Sequence, residues 1–570
     1  MSTYLICSQE NRYLADDYIH EFTKTGSQLT DEIKINNNIL LLFSNLQNKR
    51  SIVHYDNKDF IIAIGCEFNT KTNNEKSWIN QLRYHSPNIY PVDITEFTST
   101  LIIFKNNILY IYNDNLSCNK TYKSEDSEII SNSFLAVCHQ LKGSLSVHSD
   151  SIYEYLINGS LFGTDTFFNE VNSIPHDTYL SLSEDGATIE NRPNSINNLD
   201  HSKSLSETAQ NQNKKLEKAI SMMGIDQDTK VSFSGGYDSR LLLSLLKSRK
   251  LEPDLFVYGN QESDDVKVAK KIAYLEKLSL TIIDKSAIKP NYSLKESLKD
   301  FYAFDGWKVE HGIFDGGIDR LDRLERNKNE KVSINGSLGE IYRNFYYMPK
   351  YKHSLISLVH TFYSQYDPSF FTDAFDENRY EASMVMKMSK SISKNESDNI
   401  SRSDIEKLYP YFRGRFWAGR DVRLNNNFGA AYFPFMHESI IKDTDKIPLK
   451  IKDKGTLQAE MIKNLDRDLA SYQSDYGFNF VEEKPLSYKI SYLISIYKPS
   501  LIRKYSLRIK NMLKKPVDTN SYLITHNSII RDFKYLKKYI VVNNIKDEGV
   551  LGLAITLEFL FQYFSVNESS

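Results

Sequence analysis

In the stretch KVSFSGGYDSRLLLSLLKSR, residues 230 to 249, two adjacent glycines, two serines and a carboxylate fall within six residues: Ser234, Gly235, Gly236, Asp238 and Ser239. Glycines let backbone amides approach an anion with no Cβ in the way. The helix that follows offers unpaired N–H groups and a positive dipole end. Ser234 and Ser239 add hydroxyl donors. Asp238 is the odd member, because a carboxylate beside phosphate is repelled unless a divalent cation lies between them, so its natural role is a magnesium ligand. The loop is neither GxxxxGK[ST] nor GxGxxG. The bland alternative is a strand-to-helix turn with a serine cap.

The flanking pattern favours the phosphate reading. TKVSFSG reads as a buried strand, SRLLLSLLKSRK as a helix, EPDLFVYG as a strand, SDDVKVAKKIAYLEKL as a helix and LTIIDK as a third strand. This alternation marks a parallel sheet with helices on its faces, and such sheets take ligands beyond the carboxyl ends of their strands. Before it, residues 1 to about 190 read as short apolar or alternating strands between polar turns, an antiparallel α+β domain. A polar, turn-rich segment at 192–206 suits a linker. From about 350 onward the chain is mainly helical by period. Its last apolar helix, GVLGLAITLEFLFQYF, is interrupted by Glu558 and reads as packed core.

With 570 residues and a net charge of −2, the chain predicts two or three domains and no basic field for nucleic acid. The four cysteines, Cys7, Cys66, Cys118 and Cys138, form no CxxC pair and no zinc spacing. Without a basic leader or a long apolar run, the chain is expected to be cytoplasmic.

SGGYDS resembles the SGGxDS pyrophosphate loop of the ATP pyrophosphatases, and most of the chain resembles the asparagine synthetase family within that group. YEYLINGSLFGTDTFFNEVNSIPHDTYLSLSEDG (153–186) is similar to the segment joining the family's two domains. YGNQESDDVKVAKKIA is similar to the strand and helix beside its adenosine pocket, and AAYFPFMHESIIKDTDKIP (430–448) to a late helical stretch. The resemblance implies a degenerate glutaminase-like domain (1–195), an adenine nucleotide alpha hydrolase-like ATP-binding domain (206–485) and a helical C-terminal extension (486–570). It implies ATP and Mg2+, activation of a carboxylate as an acyl-adenylate, and displacement of AMP by ammonia or an amine. Ser234, Gly235, Gly236, Asp238 and Ser239 match the pyrophosphate loop, and the backbone of Val257, Tyr258 and Gly259 would meet adenine. Glu340, in NGSLGE, falls where the family has its second metal-binding acid, with Arg343 following.

Two departures follow. The family's late lysine aligns with Asp475, leaving Lys454, Lys463 or Arg467 as substitutes. Position 2 is Ser2, not the cysteine of glutamine-dependent members, and Cys7 lies within an apparent strand, so glutaminase activity is not expected. The carboxylate is then aspartate itself, a uronic acid sugar or a peptide, and the chain is expected to pair as a homodimer. The rival readings are an inactive nucleotide-binding homologue and another adenylating chemistry such as tRNA thiolation, though no cysteine lies after Cys138 to transfer sulfur. Asp305, Glu310, His311 and Asp315 suggest a rim near the substrate's entry. The basic amphipathic segment 498–515 is expected to turn a solvated basic face outward, or to touch an anionic surface.

Overall fold

The computed structural model describes residues 2–47, 51–65, 75–87, 99–192, 204–223, 225, 229–328, 331–442 and 444–566. The expected linker falls mostly outside them. So does Cys66.

The N-terminal strands form two six-stranded sheets, antiparallel at every pairing between named strands. Alternating side chains explain the layering. Ile6, Leu40, Leu42, Ile62, Ile102 and Ile111 fill the space between the sheets, while Leu5, Leu41, Ile61 and Ile103 point to the opposite faces. Helix Asp16–Thr23 packs Tyr18 and Phe22 on the first sheet through Phe43, and helix Glu75–Tyr84 covers the edge of the second.

The second sheet system is parallel throughout and has five strands: β1 (Thr229–Ser232), β2 (Asp254–Tyr258), β3 (Leu280–Ile283), β4 (Val332–Ile334) and β5 (Ala431–Tyr432). Their order across the sheet is β3-β2-β1-β4-β5. The chain winds outward from β1 in one direction and then restarts on its other side, so the crevice between β1 and β4 is the topological switch point. Helix α1 (Tyr237–Ser248) follows β1 and helix α2 (Asp264–Glu276) follows β2. The mixed α/β reading of the sequence is what the structure shows.

Among the later helices are α3 (Leu486–Tyr497), α4 (Ser500–Met512) and α5 (Glu548–Phe564). Helix α5 is core, as its sequence predicts. Phe559 meets Phe301 and Phe561 meets Phe168, so it is wedged between both sheet systems. Its buried Glu558 is satisfied by the backbone amides of Lys534, Tyr535 and Leu536 at 2.9–3.1 Å. No helix among the described residues is long and apolar enough to cross a membrane.

Asp305 corrects an expectation. It does not face a substrate entrance. Its carboxylate accepts from the Ser133 hydroxyl at 2.6 Å and the amides of Phe134 and Leu135 at 3.0 and 3.1 Å, capping a helix of the N-terminal sheet system, and it pairs with Arg420 at 3.3 Å. It joins the two halves. Its companions are exposed or half-buried. Asp315 accepts from the amide of Asp319, and Glu310 bonds Gly159 through its backbone.

Candidate functional site

The loop between β1 and α1 lies at the switch point. Gly235 adopts φ +82°, and a Cβ there would lie 2.5 Å from Val268, so glycine is required by both conformation and space. The serines organise the loop from within. Ser239 Oγ accepts from the amide of Gly235 at 3.2 Å, and Ser234 Oγ from that of Gly236 at 3.4 Å. No side chain caps α1, so its amino end faces the loop with Asp238 in the first turn.

Across the crevice, the loop after β4 brings Glu340 and Arg343. Arg343 donates to Asp238 Oδ2 at 2.6 Å and lies 3.5 Å from Glu340 Oε1. Gln458 donates to Asp238 Oδ1 at 2.7 Å, and the Tyr409 hydroxyl to Glu340 Oε2 at 2.7 Å. The two acids thus converge from opposite sides of the switch point on one guanidinium. Their closeness depends on a residue with no side chain, since a Cβ on Gly339 would sit 2.2 Å from Asp238 Oδ1.

Electrostatics follow from this crowding. Burial, with Glu340 adding to it, pushes Asp238 up to about 7 against the pull of Arg343. Arg343 is held charged well above its ordinary range by the two acids, despite burial. Both carboxylates remain reachable, with side chains 22% and 33% exposed. This donor set fits magnesium, which commonly takes one or two carboxylates and completes its shell with phosphate oxygens and water. Such an ion would offset the burial and the Glu340 charge that together raise the Asp238 carboxyl.

Val257, Tyr258 and Gly259 lie at the carboxyl end of β2, beside the loop. Val257 is buried, the Tyr258 hydroxyl donates to Asp322 at 2.6 Å, and Gly259 has φ +137° with its amide bonded to Ile283. Asp475 faces Gly236, whose Cβ position lies 3.8 Å from Oδ1. Burial, with Asp265 nearby, raises its carboxyl above the usual range.

The three proposed lysine substitutes divide. Lys463 pairs with Glu460 at 2.5 Å, while Arg467 opens a short helix and Lys454 stands 6.0 Å from the Tyr492 ring. The cation that sequence reasoning misses is Lys484. Its ammonium lies 6.0 Å from the ring of Tyr237, within the loop itself, and donates to the carbonyl of Lys454. Burial and the charge of Lys454 push it down to about 8. Only the EEKP turn after SDYGFNF could have signalled it. Arg240 was also missed. Fully buried, it donates to Gly235 O at 2.6 Å and Tyr472 O at 2.6 Å, tying the loop to the segment before Asp475.

Comparisons with known proteins add little. No protein-family model matches the chain, and no curated protein matches it. Among solved structures, glutamine phosphoribosylpyrophosphate amidotransferase from B. subtilis complexed with ADP and GMP gives a TM-score of 0.21 at 7% identity, covering 50% of this chain and 65% of that one. The allosteric regulatory enzyme of purine biosynthesis gives 0.23 at 8%, covering 54% and 78%. Likeness at this level assigns neither fold nor activity.

The N-terminal side holds no poised thiol among its described cysteines. Cys7, Cys118 and Cys138 are buried, and burial holds each thiol protonated, Cys7 up at about 11. Ser2 is buried too.

Proposed function

We propose that the chain is an ATP- and Mg2+-dependent ligase of the asparagine synthetase type, joining a carboxylate to ammonia or an amine. The observation that carries this reading is the convergence of Asp238 and Glu340 from two loops flanking the switch point, beside the glycine-serine loop that leads into α1. Asp238 and Glu340 would hold the magnesium, which when bound offsets polyphosphate charge. The amides of Gly235 and Gly236 and the hydroxyls of Ser234 and Ser239 would cradle pyrophosphate, and Val257 to Gly259 would border adenine. Arg343, released from the acids by the cation, would turn to phosphate oxygens as a bidentate donor. Lys484 would neutralise charge growing on the leaving pyrophosphate in place of the absent family lysine.

In the first step the substrate carboxylate attacks the α-phosphorus and pyrophosphate leaves. In the second, the nitrogen attacks the acyl carbon, AMP leaves with the bonding pair, and the nitrogen gives up a proton. Aspartate, a uronic acid sugar and a peptide are the carboxylate classes to try. A second reading, an inactive nucleotide-binding homologue, is favoured by Asp475, which sets a carboxylate against the phosphate cradle. Pyrophosphate release, assayed with panels of carboxylates and amines, separates the two. Release that needs one carboxylate and vanishes in Asp238→Ala supports the ligase. Tight ATP binding with silence across the panel supports the homologue.

A further inference from the structure

Helix α4 is packed with its charged side inward. Arg503, Lys504 and Arg508 are 9%, 4% and 5% exposed. Lys504 bridges Glu377 and Glu381 at 2.5 and 2.7 Å. Arg508 grips both oxygens of Glu377 at 3.0 and 3.1 Å, donates to Ser364 O at 2.9 Å and stacks on Tyr366. The solvated basic face expected from the sequence is therefore the seat of the helix. These ion pairs fix its rotation, and the apolar stripe must face out.

It does. Ile502, Tyr505 and Ile509 are each more than half exposed and Leu513 is 81% exposed, while on α3 Ile494 and Tyr497 are each 65% exposed. In all, eleven large apolar side chains between residues 486 and 513 stand nearly half exposed or more. Arg503 makes the two helices one surface, donating to Ile496 O at 3.2 Å and Lys498 O at 3.0 Å around the corner between them. A soluble monomer rarely shows a contiguous apolar patch beyond a few hundred Å2 unless something docks there.

The charge around the patch selects the occupant. From residue 484 to 517 the chain has no acid. Lys510, Lys514 and Lys515 stand exposed at its end, Lys514 only loosely paired with Asp547 at 3.8 Å. A second copy of this face would bring no acid to meet these lysines, because the same segment on it is equally basic. Anionic headgroups would instead meet the lysines while the apolar stripe entered the acyl boundary, with Tyr497 and Tyr505 at the depth that amphipathic rings favour.

We propose that helices α3 and α4 form a docking surface for an anionic lipid bilayer, inserting their apolar face to interfacial depth with Lys510, Lys514 and Lys515 on the headgroups. The contact is made by the apolar side of segment 498–515, while most of its basic side is occupied within the protein.

The test is co-flotation of the full chain with phosphatidylcholine vesicles containing roughly one-third phosphatidylserine, and with pure phosphatidylcholine vesicles. Wild type should float with the anionic vesicles. The double variant Ile502→Glu/Ile509→Glu should lose at least about tenfold in partitioning, because two exposed aliphatic side chains that would enter the acyl boundary are replaced by charges. Both positions are exposed, so its urea unfolding midpoint should match wild type. Lys510→Gln/Lys514→Gln/Lys515→Gln should weaken binding to anionic vesicles alone. Absence of flotation, or flotation unchanged in the double variant, overturns the proposal, and equal binding to pure phosphatidylcholine overturns its electrostatic half. Concentration-dependent dimerisation abolished by Ile509→Glu, without vesicle binding, would assign the face to a second copy instead. None of these outcomes depends on the ligase reading.

Discussion

Gly339→Ala should damage the site out of proportion to its size. Among the described glycines of positive φ, Gly339 is not one, so alanine meets no backbone strain there, and the whole effect must come from the neighbour. The new methyl would lie 2.2 Å from Asp238 Oδ1, 2.6 Å from Cγ and 2.9 Å from Cβ. Ordinary contact needs about 3.5 Å, so the carboxylate or the Glu340 loop must retreat by about 1 Å. Overpacking of this kind costs about 1–3 kcal/mol of stability. Misplacing a reacting group by about 1 Å can cost on the order of 100-fold in rate, or about 2.7 kcal/mol of barrier. Urea unfolding of wild type, Gly339→Ala, Asp238→Ala and the double variant closes a thermodynamic cycle, and pyrophosphate release reads the rate. Asp238→Ala removes the two closest atoms, so Gly339→Ala should cost clearly less in that background. Costs that add to within about 0.5 kcal/mol would refute the close approach. Full pyrophosphate release by Gly339→Ala would refute the role of Asp238.

Asp238, raised to about 7 in the folded protein against about 3.9 unfolded, binds its proton more tightly when folded, so its contribution to stability is full below pH ~4 and is lost as pH rises through 7. The difference in unfolding free energy between wild type and Asp238→Asn should therefore change over that window without Mg2+, and Mg2+ binding at pH 6.5, followed calorimetrically in two buffers, should release a proton. Lys484 should lose its charge above pH ~8, giving pyrophosphate release an alkaline limb that Lys484→Arg flattens; Lys484→Met should cost roughly 10²–10³ in rate at pH 7.5. Asp305→Ala, which strands Arg420 and uncaps a helix, should cost about 3–5 kcal/mol in urea unfolding.

The glycine-serine turn between β1 and α1 was legible because its signals are local: glycines, serines and a carboxylate within six residues, after a buried strand. Glu340 was read only through the resemblance of NGSLGE to the family's second metal motif. The partners that finish the site were not, because Gln458, Tyr409 and Lys484 lie 220, 171 and 246 residues from Asp238 along the chain and carry no spacing rule. Arg343, three residues after Glu340, braces both acids in the structure. Helix α4 shows a different limit. Its amphipathic period was plain, but period alone does not say which side is inward, and Glu377 and Glu381 decided it from a helix more than 100 residues earlier. Asp305 read as a rim acid because its helix-capping partners, Ser133 to Leu135, belong to another sheet system.

The π-helical segment Tyr409–Ala418 begins at the site and ends in the N-terminal half: Tyr409 holds Glu340, while Arg415 donates to Leu116 O at 3.0 Å and the carbonyl of Phe416 accepts from Ser160. Close beyond it, Arg423 reaches Asn132 O at 3.3 Å, and Lys387 bonds Glu154 at 2.7 Å from a neighbouring helix. The polar stretch at 192–206 invites a protein engineer to cut there and keep the second half as a minimal catalyst. That truncation would strip the far anchor from the segment that positions Glu340 and bare the apolar residues of α5 facing Phe168. The N-terminal half works as the splint of the other, and the unit of expression, swapping and grafting is the two halves together.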